Sequence, residues 1–192
     1  MISTDKSVIL ASGSPRRKEL LSLIINPFTC ISLDIDESYP PSMPAHEVAA
    51  HLATKKAEVA HTRYSRETIL ITADTTVICD HKLLEKPRSE QEAAEFLNTL
   101  SNRWHEVVTA ACISYRDQQF LHTSTNKVHF TAIPNYAIEE YIRSGSPMDK
   151  AGGYGIQDDF GRIYIEKIEG DYQAIMGLQI SWVREKLHQL IG

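Results

Sequence analysis

The chain has 192 residues, of which 42% are hydrophobic and 23% charged, ordinary proportions for a soluble globular protein with one sizeable core. Its formal net charge of −5 at pH 7 excludes a global positive field that would draw it to nucleic acid or an anionic membrane. Any bound polyphosphate must therefore be neutralised locally, by a few placed cations and a metal.

In chain order, residues 7–10 form a short apolar strand. The turn Ser12-Gly13-Ser14-Pro15-Arg16-Arg17 leads into a helix carrying Leu20, Leu21, Leu23 and Ile24. A second strand over 28–33 ends in the acidic turn Asp34-Ile35-Asp36-Glu37. The proline loop 40–44 is stiff, because each proline fixes its own φ and biases the residue before it. A helix over 45–61 follows. The run 69–79 lacks alternation and is rich in β-branched residues, as in a strand buried on both faces. After a short strand at Leu83-Leu84, Ser89 and Glu92 form a capping box opening a helix with Ala93, Phe96, Leu97 and Leu100 on one face.

Residues 106–115 and 119–133 read as a hairpin around Arg116-Asp117-Gln118. Asn135 caps a helix carrying Ile138, Tyr141 and Ile142 that stops at Gly145. A glycine-rich loop over 146–155, a strand over 162–168 and a final helix with Ile180, Val183, Leu187 and Leu190 inward complete the chain. This order predicts an α/β fold with a mixed sheet. The 40–44 loop and the 144–147 turn are the expected hinges between lobes.

Three cysteines, Cys30, Cys79 and Cys112, lie far apart without a CxxC pair and read as reduced thiols. No signal-peptide pattern opens the chain and no apolar run approaches the ~20 residues of a membrane span. A cytoplasmic location is expected.

Several charged residues sit badly with a purely structural role. Ser14 suits an N-cap and Pro15 a first helical position, so free N–H groups there favour an anion. Arg16 and Arg17 stand in that first turn, where cations oppose the helix dipole. Solvated arginines on an ordinary capped helix are the alternative. In the 45–61 helix, Lys56 falls in the middle of the arc of Val48, Ala49, Leu52, Ala53, Val59 and Ala60. An inward ammonium needs an anion, either a carboxylate or a ligand. Asp74 interrupts the most apolar run, as a ligand-crevice residue near a strand end or as the partner of Lys56 or Lys86. With Glu37, Arg16 and Lys86 these residues suit a metal-bound triphosphate: oxygen ligands for Mg²⁺ or Mn²⁺ and cations for phosphate.

Leu10-Ala11-Ser12-Gly13-Ser14-Pro15-Arg16-Arg17-Lys18-Glu19-Leu20-Leu21 resembles the opening signature of the Maf family of nucleotide pyrophosphatases. The resemblance continues through Asp36-Glu37, Leu52-Ala53-Thr54-Lys55-Lys56-Ala57, Ala73-Asp74-Thr75, Glu85-Lys86-Pro87, Asp149-Lys150-Ala151-Gly152 and Tyr154-Gly155-Ile156-Gln157. It spans essentially the whole chain, as one domain over 1–192. It implies a mixed central sheet with flanking helices and two lobes around a cleft, similar to the inosine triphosphate pyrophosphatases, with divalent-metal dependence and often a homodimer.

The resemblance makes Asp74 the proton acceptor and assigns Glu37, Lys56 and Lys86 to catalysis; Glu37 and Asp74 are the expected metal ligands, with Asp74 acting as base, ligand or both. Ser12 and Arg16 match phosphate-contacting positions, and Arg16, Thr75 and Gln157 match positions linked to substrate choice. Pro15-Arg16 together with Gln157 resembles the branch that hydrolyses dTTP and UTP to the monophosphate and pyrophosphate by water attack on the α-phosphorus. The alternatives are a purine or modified nucleotide such as 7-methyl-GTP, or a catalytically silent regulator of cell division, which the two acids argue against. The chain departs from the family pattern at Asn102, where glycine is usual, at Gly153, where alanine is usual, and at Gln179, where proline is usual.

Overall fold

The expected strands are all present in the computed structural model, which describes residues 1–192, with ends displaced by up to three residues. Contacts gather the chain into two compact units. The first holds Met1–Asp74, Thr109–Ser124 and Gly177–Gly192; the second holds Thr75–Val108 and Thr125–Met176.

In the first unit, β1 (Val8–Ala11) lies between β2 (Thr29–Ile31) and the start of β3 (Ile69–Cys79), parallel to both. Leu10 registers with Cys30 on one side and Ile71 on the other. All four β1 residues are buried, which explains the missing alternation. Helix α1 (Pro15–Ser22) buries Leu20 and Leu21, and α2 (Ala45–Arg63) buries Val48, Ala49, Leu52, Ala53, Ala57 and Ala60. The Thr72 hydroxyl donates to the Ala53 carbonyl at 2.7 Å, tying β3 to α2.

The second unit begins inside β3, which turns through Asp80 and His81 into the antiparallel β4 (Lys82–Leu84). Both turn residues have positive φ, 48° and 64°, the geometry that matches hairpin twist. Helix α3 (Glu90–Leu100) opens on the predicted cap: the Glu92 N–H donates to Ser89 Oγ at 3.1 Å. The Glu92 carboxylate reaches back to the Arg88 N–H, one residue beyond the expected partner Ser89. Strands β5 (Trp104–Tyr115) and β6 (Gln118–Phe130) form the hairpin, and β6 pairs antiparallel with β7 (Ile165–Glu169). Helix α4 (Asn135–Arg143) and α3 bury Ile138, Tyr141, Leu97 and Leu100 in one cluster with Phe130. Two 3-10 turns (Ser146–Asp149 and Ala151–Gly153), α5 (Asp159–Tyr164) and α6 (Tyr172–Met176) follow, and α7 (Ile180–Ile191) returns to the first unit. Strand order is β2-β1-β3-β5-β6-β7, with β4 beside β3, so the sheet is mixed as expected. No helix is long and apolar enough to cross a membrane.

Five expectations are corrected. Asp74 does not stand near a strand end: β3 runs on to Cys79, the end that the 69–79 run predicts. Ser14 holds the N-cap position of α1 but makes no side-chain cap; its own N–H donates instead to Ser12 Oγ at 3.2 Å. Asn135 is the first helical residue and Pro134 occupies the N-cap. The predicted strand over 162–168 starts as helix α5, whose Phe160 ring stacks on Tyr141 at 4.2 Å, a tertiary contact that six residues of sequence do not reveal. The chain passes between units inside β3, β5 and β6 and before α7, and at neither expected hinge.

Two departures from the family pattern have local causes. Asn102 has φ 54°, a left-handed conformation that asparagine tolerates after glycine. Gln179 is buried, and its amide N–H₂ donates to the Thr109 carbonyl at 2.5 Å and to Ser124 Oγ at 3.0 Å, bonds a proline could not make.

Candidate active site

In the first unit the charged residues converge on one ammonium. The Lys56 Nζ lies 2.5 Å from Asp74 Oδ1 and 2.8 Å from Glu37 Oε1. The side chains of Lys56 and Asp74 are 11% and 12% exposed, against 46% for Glu37. Helix α2 aims Lys56 inward from its apolar arc, and β3 supplies Asp74 from a run of buried residues. The ion-pair alternative for Lys56 is what the geometry displays, with two acids where one was expected.

Glu37 is placed by its neighbours. The Asp36 carboxylate accepts from the Ser38 hydroxyl at 2.5 Å and the Ser38 N–H at 2.9 Å, which holds the Asp36 carboxyl below the usual carboxylate range. Lys55, next along α2, donates to the Ser38 carbonyl at 3.1 Å. The acidic turn is thereby fastened to the helix that carries Lys56.

Arg17, noted with Arg16 as a first-turn cation but given no role at the site, belongs to this cluster. Its Nη1 donates to Ser12 Oγ at 3.2 Å and its Nε to the Gly177 carbonyl at 2.9 Å. Burial lowers the guanidinium's pKa; Asp74 and Glu37 oppose that pull and Arg16 adds to it. The group stays charged under all folded conditions. Its spacing held the signal: Arg17 stands three and four residues before Leu20 and Leu21, hence on the buried side of α1.

The Glu37 and Asp74 carboxylates are hard oxygen donors that fit a divalent cation sharing its remaining positions with phosphate oxygens and water. No three His, Cys, Asp or Glu side chains gather into a metal site of their own. Glu37 and Asp74 are thus the residues that would hold such an ion.

The other predicted residues belong to the second unit. Thr75 directly follows Asp74 and is half-buried. Lys86 is exposed between β4 and α3. Its segment is held to the glycine loop, where the Gly152 N–H donates to the Glu85 carbonyl at 3.1 Å. Gly152 has φ 69°, and a Cβ there would stand 2.9 Å from Val77, so only glycine lets the loop approach β3. Gln157 is half-buried, and its Oε1 is buried without a hydrogen-bond partner.

The chain matches the Maf family, described as Maf-like protein, over residues 7–190. It belongs to that family. Among its Maf relatives, a dTTP/UTP pyrophosphatase of Chlorobium luteolum is 38% identical over 188 residues, covering 96% of this chain and 97% of that one. Counterparts of the same name from Vibrio vulnificus (39% identical, 96% and 98% covered) and Porphyromonas gingivalis (40%, 94% and 92%) are similarly close. Similar solved structures include the Ham1 protein of Staphylococcus aureus, with TM-score 0.47 and 15% identity over 65% of this chain and 72% of that one. Another is a nucleoside-triphosphatase / dITP/XTP pyrophosphatase of Mycobacterium abscessus, with TM-score 0.44 and 15% identity over 96% and 97%. The Maf chain thus keeps Ser12, Arg16, Glu37, Lys56 and Asp74 in one unit, and Thr75, Lys86 and Gln157 in the other.

Proposed function

We propose that this Maf-family protein is a cytoplasmic nucleoside triphosphate pyrophosphatase that hydrolyses dTTP and UTP to the monophosphate and pyrophosphate. The observation that carries the reading is the placing of Lys56 between Asp74 and Glu37, beside two arginines at the start of α1. The names of the relatives supply the nucleotide class.

In this reading a water oxygen attacks the α-phosphorus, the bond to the α–β bridging oxygen breaks, and pyrophosphate leaves with the electron pair. Asp74 holds the water and accepts its proton. Lys56, Arg16 and Arg17 stabilise charge growing on the phosphates, and preorganised cations in a dry site do this without reorganising. The resemblance assigns Lys86 to the same task, Ser12 to a phosphate contact, and Thr75 and Gln157 to the base. A divalent ion on Glu37 and Asp74, when bound, would polarise the phosphate and lower the pKa of water.

A panel of nucleoside triphosphates with Mg²⁺ and with Mn²⁺, read for pyrophosphate and for orthophosphate, tests the proposal. Pyrophosphate from UTP and dTTP is expected. Diphosphate plus orthophosphate would overturn the chemistry, and faster turnover of purine triphosphates would overturn the substrate assignment.

A further inference from the structure

The second unit contains a charge network, built around the buried Lys150, that the proposed reaction leaves unused. The Lys150 side chain is 8% exposed, and its Nζ donates to the Ser146 carbonyl at 2.5 Å, to Ser146 Oγ at 3.0 Å and to Asp149 Oδ1 at 2.7 Å. It lies 3.5 Å from Asp158 Oδ2. That same oxygen accepts from the Tyr141 hydroxyl at 2.6 Å and from Ser146 Oγ at 2.9 Å. Against the burial that would raise it, these bonds and the Lys150 charge hold the Asp158 carboxyl below its ordinary value.

The network closes on the segment that presents Gln157. Residues 155–158 form a turn in which the Asp158 N–H donates to the Gly155 carbonyl at 3.2 Å, with Ile156 and Gln157 at its centre. The Tyr141 hydroxyl bridges both ends: it donates to the Asp158 carboxylate and accepts from the Gly155 N–H at 3.3 Å. A Cβ on Gly155 would stand 2.7 Å from the Asp158 carboxylate, so the turn leaves no room for another residue there. Behind it the Tyr141 ring stacks on Phe160 with an 8° interplanar angle. No buried side-chain polar atom of the clamp lacks a partner, yet the Gln157 Oε1 at the turn's centre is buried without one. A buried orphan acceptor is unfavourable unless a ligand donor completes it, and buried ion networks cost more than apolar packing unless they fix a particular geometry.

We propose that Tyr141, Lys150 and Asp158 are positioning residues that aim the Gln157 amide, and so set base selectivity without touching the nucleotide. The inference rests on the base-reading role of Gln157 in the function proposed above. An acceptor aimed in this way meets the N3–H of uracil or thymine, while the amide N–H₂ donates to a neighbouring carbonyl.

The test measures binding of the α,β-imido analogues of UTP and GTP by calorimetry, with melting temperature in parallel, so that a protein hydrolysing nothing is still informative. The variants are Gln157→Ala, Tyr141→Phe, Lys150→Met and the double Gln157→Ala/Tyr141→Phe, with Ser146→Ala replacing any variant that does not fold. Tyr141→Phe deletes one hydroxyl and keeps the ring stack. Preference for the uridine analogue should fall about 5-fold or more in each single variant, and no further in the double variant than in Gln157→Ala alone. Where catalysis is measurable, the loss for UTP should lie in KM more than in kcat. A Tyr141→Phe protein with a lower melting temperature and wild-type preference would make the network purely structural and overturn the inference, leaving the proposed chemistry intact. If Gln157→Ala kept the preference, there would be no reader to aim and the inference would fall with the base assignment. Absence of pyrophosphate release with the predicted binding pattern would overturn the proposed function alone.

Discussion

Asp74 and Glu37 share Lys56, so each of the three can be changed with a distinct result. Asp74→Asn keeps the shape of the side chain while removing the proton acceptor. It should lower turnover of UTP by about 10²–10⁴-fold with a melting temperature close to wild type, and retention of half the rate would reassign Asp74 to structure. Lys56→Met leaves two carboxylates without the ammonium that they share. It should cost on the order of 2 kcal/mol in chemical unfolding and also lower turnover. Adding Glu37→Gln should recover stability but not activity; recovery of neither would break the link between them. His105 supplies a pH-dependent counterpart in the second unit. Its Nε2 lies 2.6 Å from the Tyr154 hydroxyl, and burial, with a smaller contribution from the charge of His129, pushes its pKa down to about 3. The unfolded chain therefore binds a proton near pH 6.5 that the folded chain refuses until about pH 3. Stability is full above about pH 6.5 and lost as pH falls through that window. His105→Gln should flatten the fall between pH 7 and pH 4 by up to about 3 kcal/mol. Parallel curves for variant and wild type would acquit His105.

Helix α5 is short, and its position depends on one residue without a side chain. A Cβ at Gly161 would lie 2.3 Å from the Gly155 carbonyl, a backbone atom that cannot swing aside. Gly161→Ala should thus cost about 1–3 kcal/mol in unfolding, because the helix must retreat from the turn that carries Gln157. A melting temperature equal to wild type would show that the helix has room to shift. Asn102, just after α3, is the contrasting case. Its left-handed φ suits glycine, so Asn102→Gly relieves strain while adding freedom to the unfolded chain. These effects oppose each other, and the change should stay within about 1 kcal/mol of wild type.

Across the whole molecule the net charge is −5, and the cations that oppose it at the site are few and placed. Glu37 and Asp74 offer a divalent ion only two carboxylates, and no larger cluster of metal ligands exists. Mg²⁺ takes about six oxygens and commonly draws the rest from substrate phosphates and water. Metal binding is therefore expected to be completed by the nucleotide. Chelation should abolish turnover yet leave the melting temperature of the nucleotide-free protein within about 2 °C, since a weakly held ion adds little folding free energy. A large drop on chelation would point to a structural metal held by protein alone.

The sequence by itself determined the elements with strong periodicity and the identity of the charged residues. The apolar run of β3, the arc of α2 with Lys56 inside it and the Ser89 cap were readable because each is set by neighbours within about one or two turns. The signature residues carried the family, and with it the expectation for Asp74, Lys56 and Gln157. Only the tertiary structure decided that Lys56 serves two carboxylates and that Arg17 joins them. It also turned the start of a predicted strand into α5 and put the ends of the Gln157 turn on one tyrosine hydroxyl. Such features join residues far apart in sequence, where local pattern is silent and the balance of burial, charge pairing and hydrogen bonding decides the geometry.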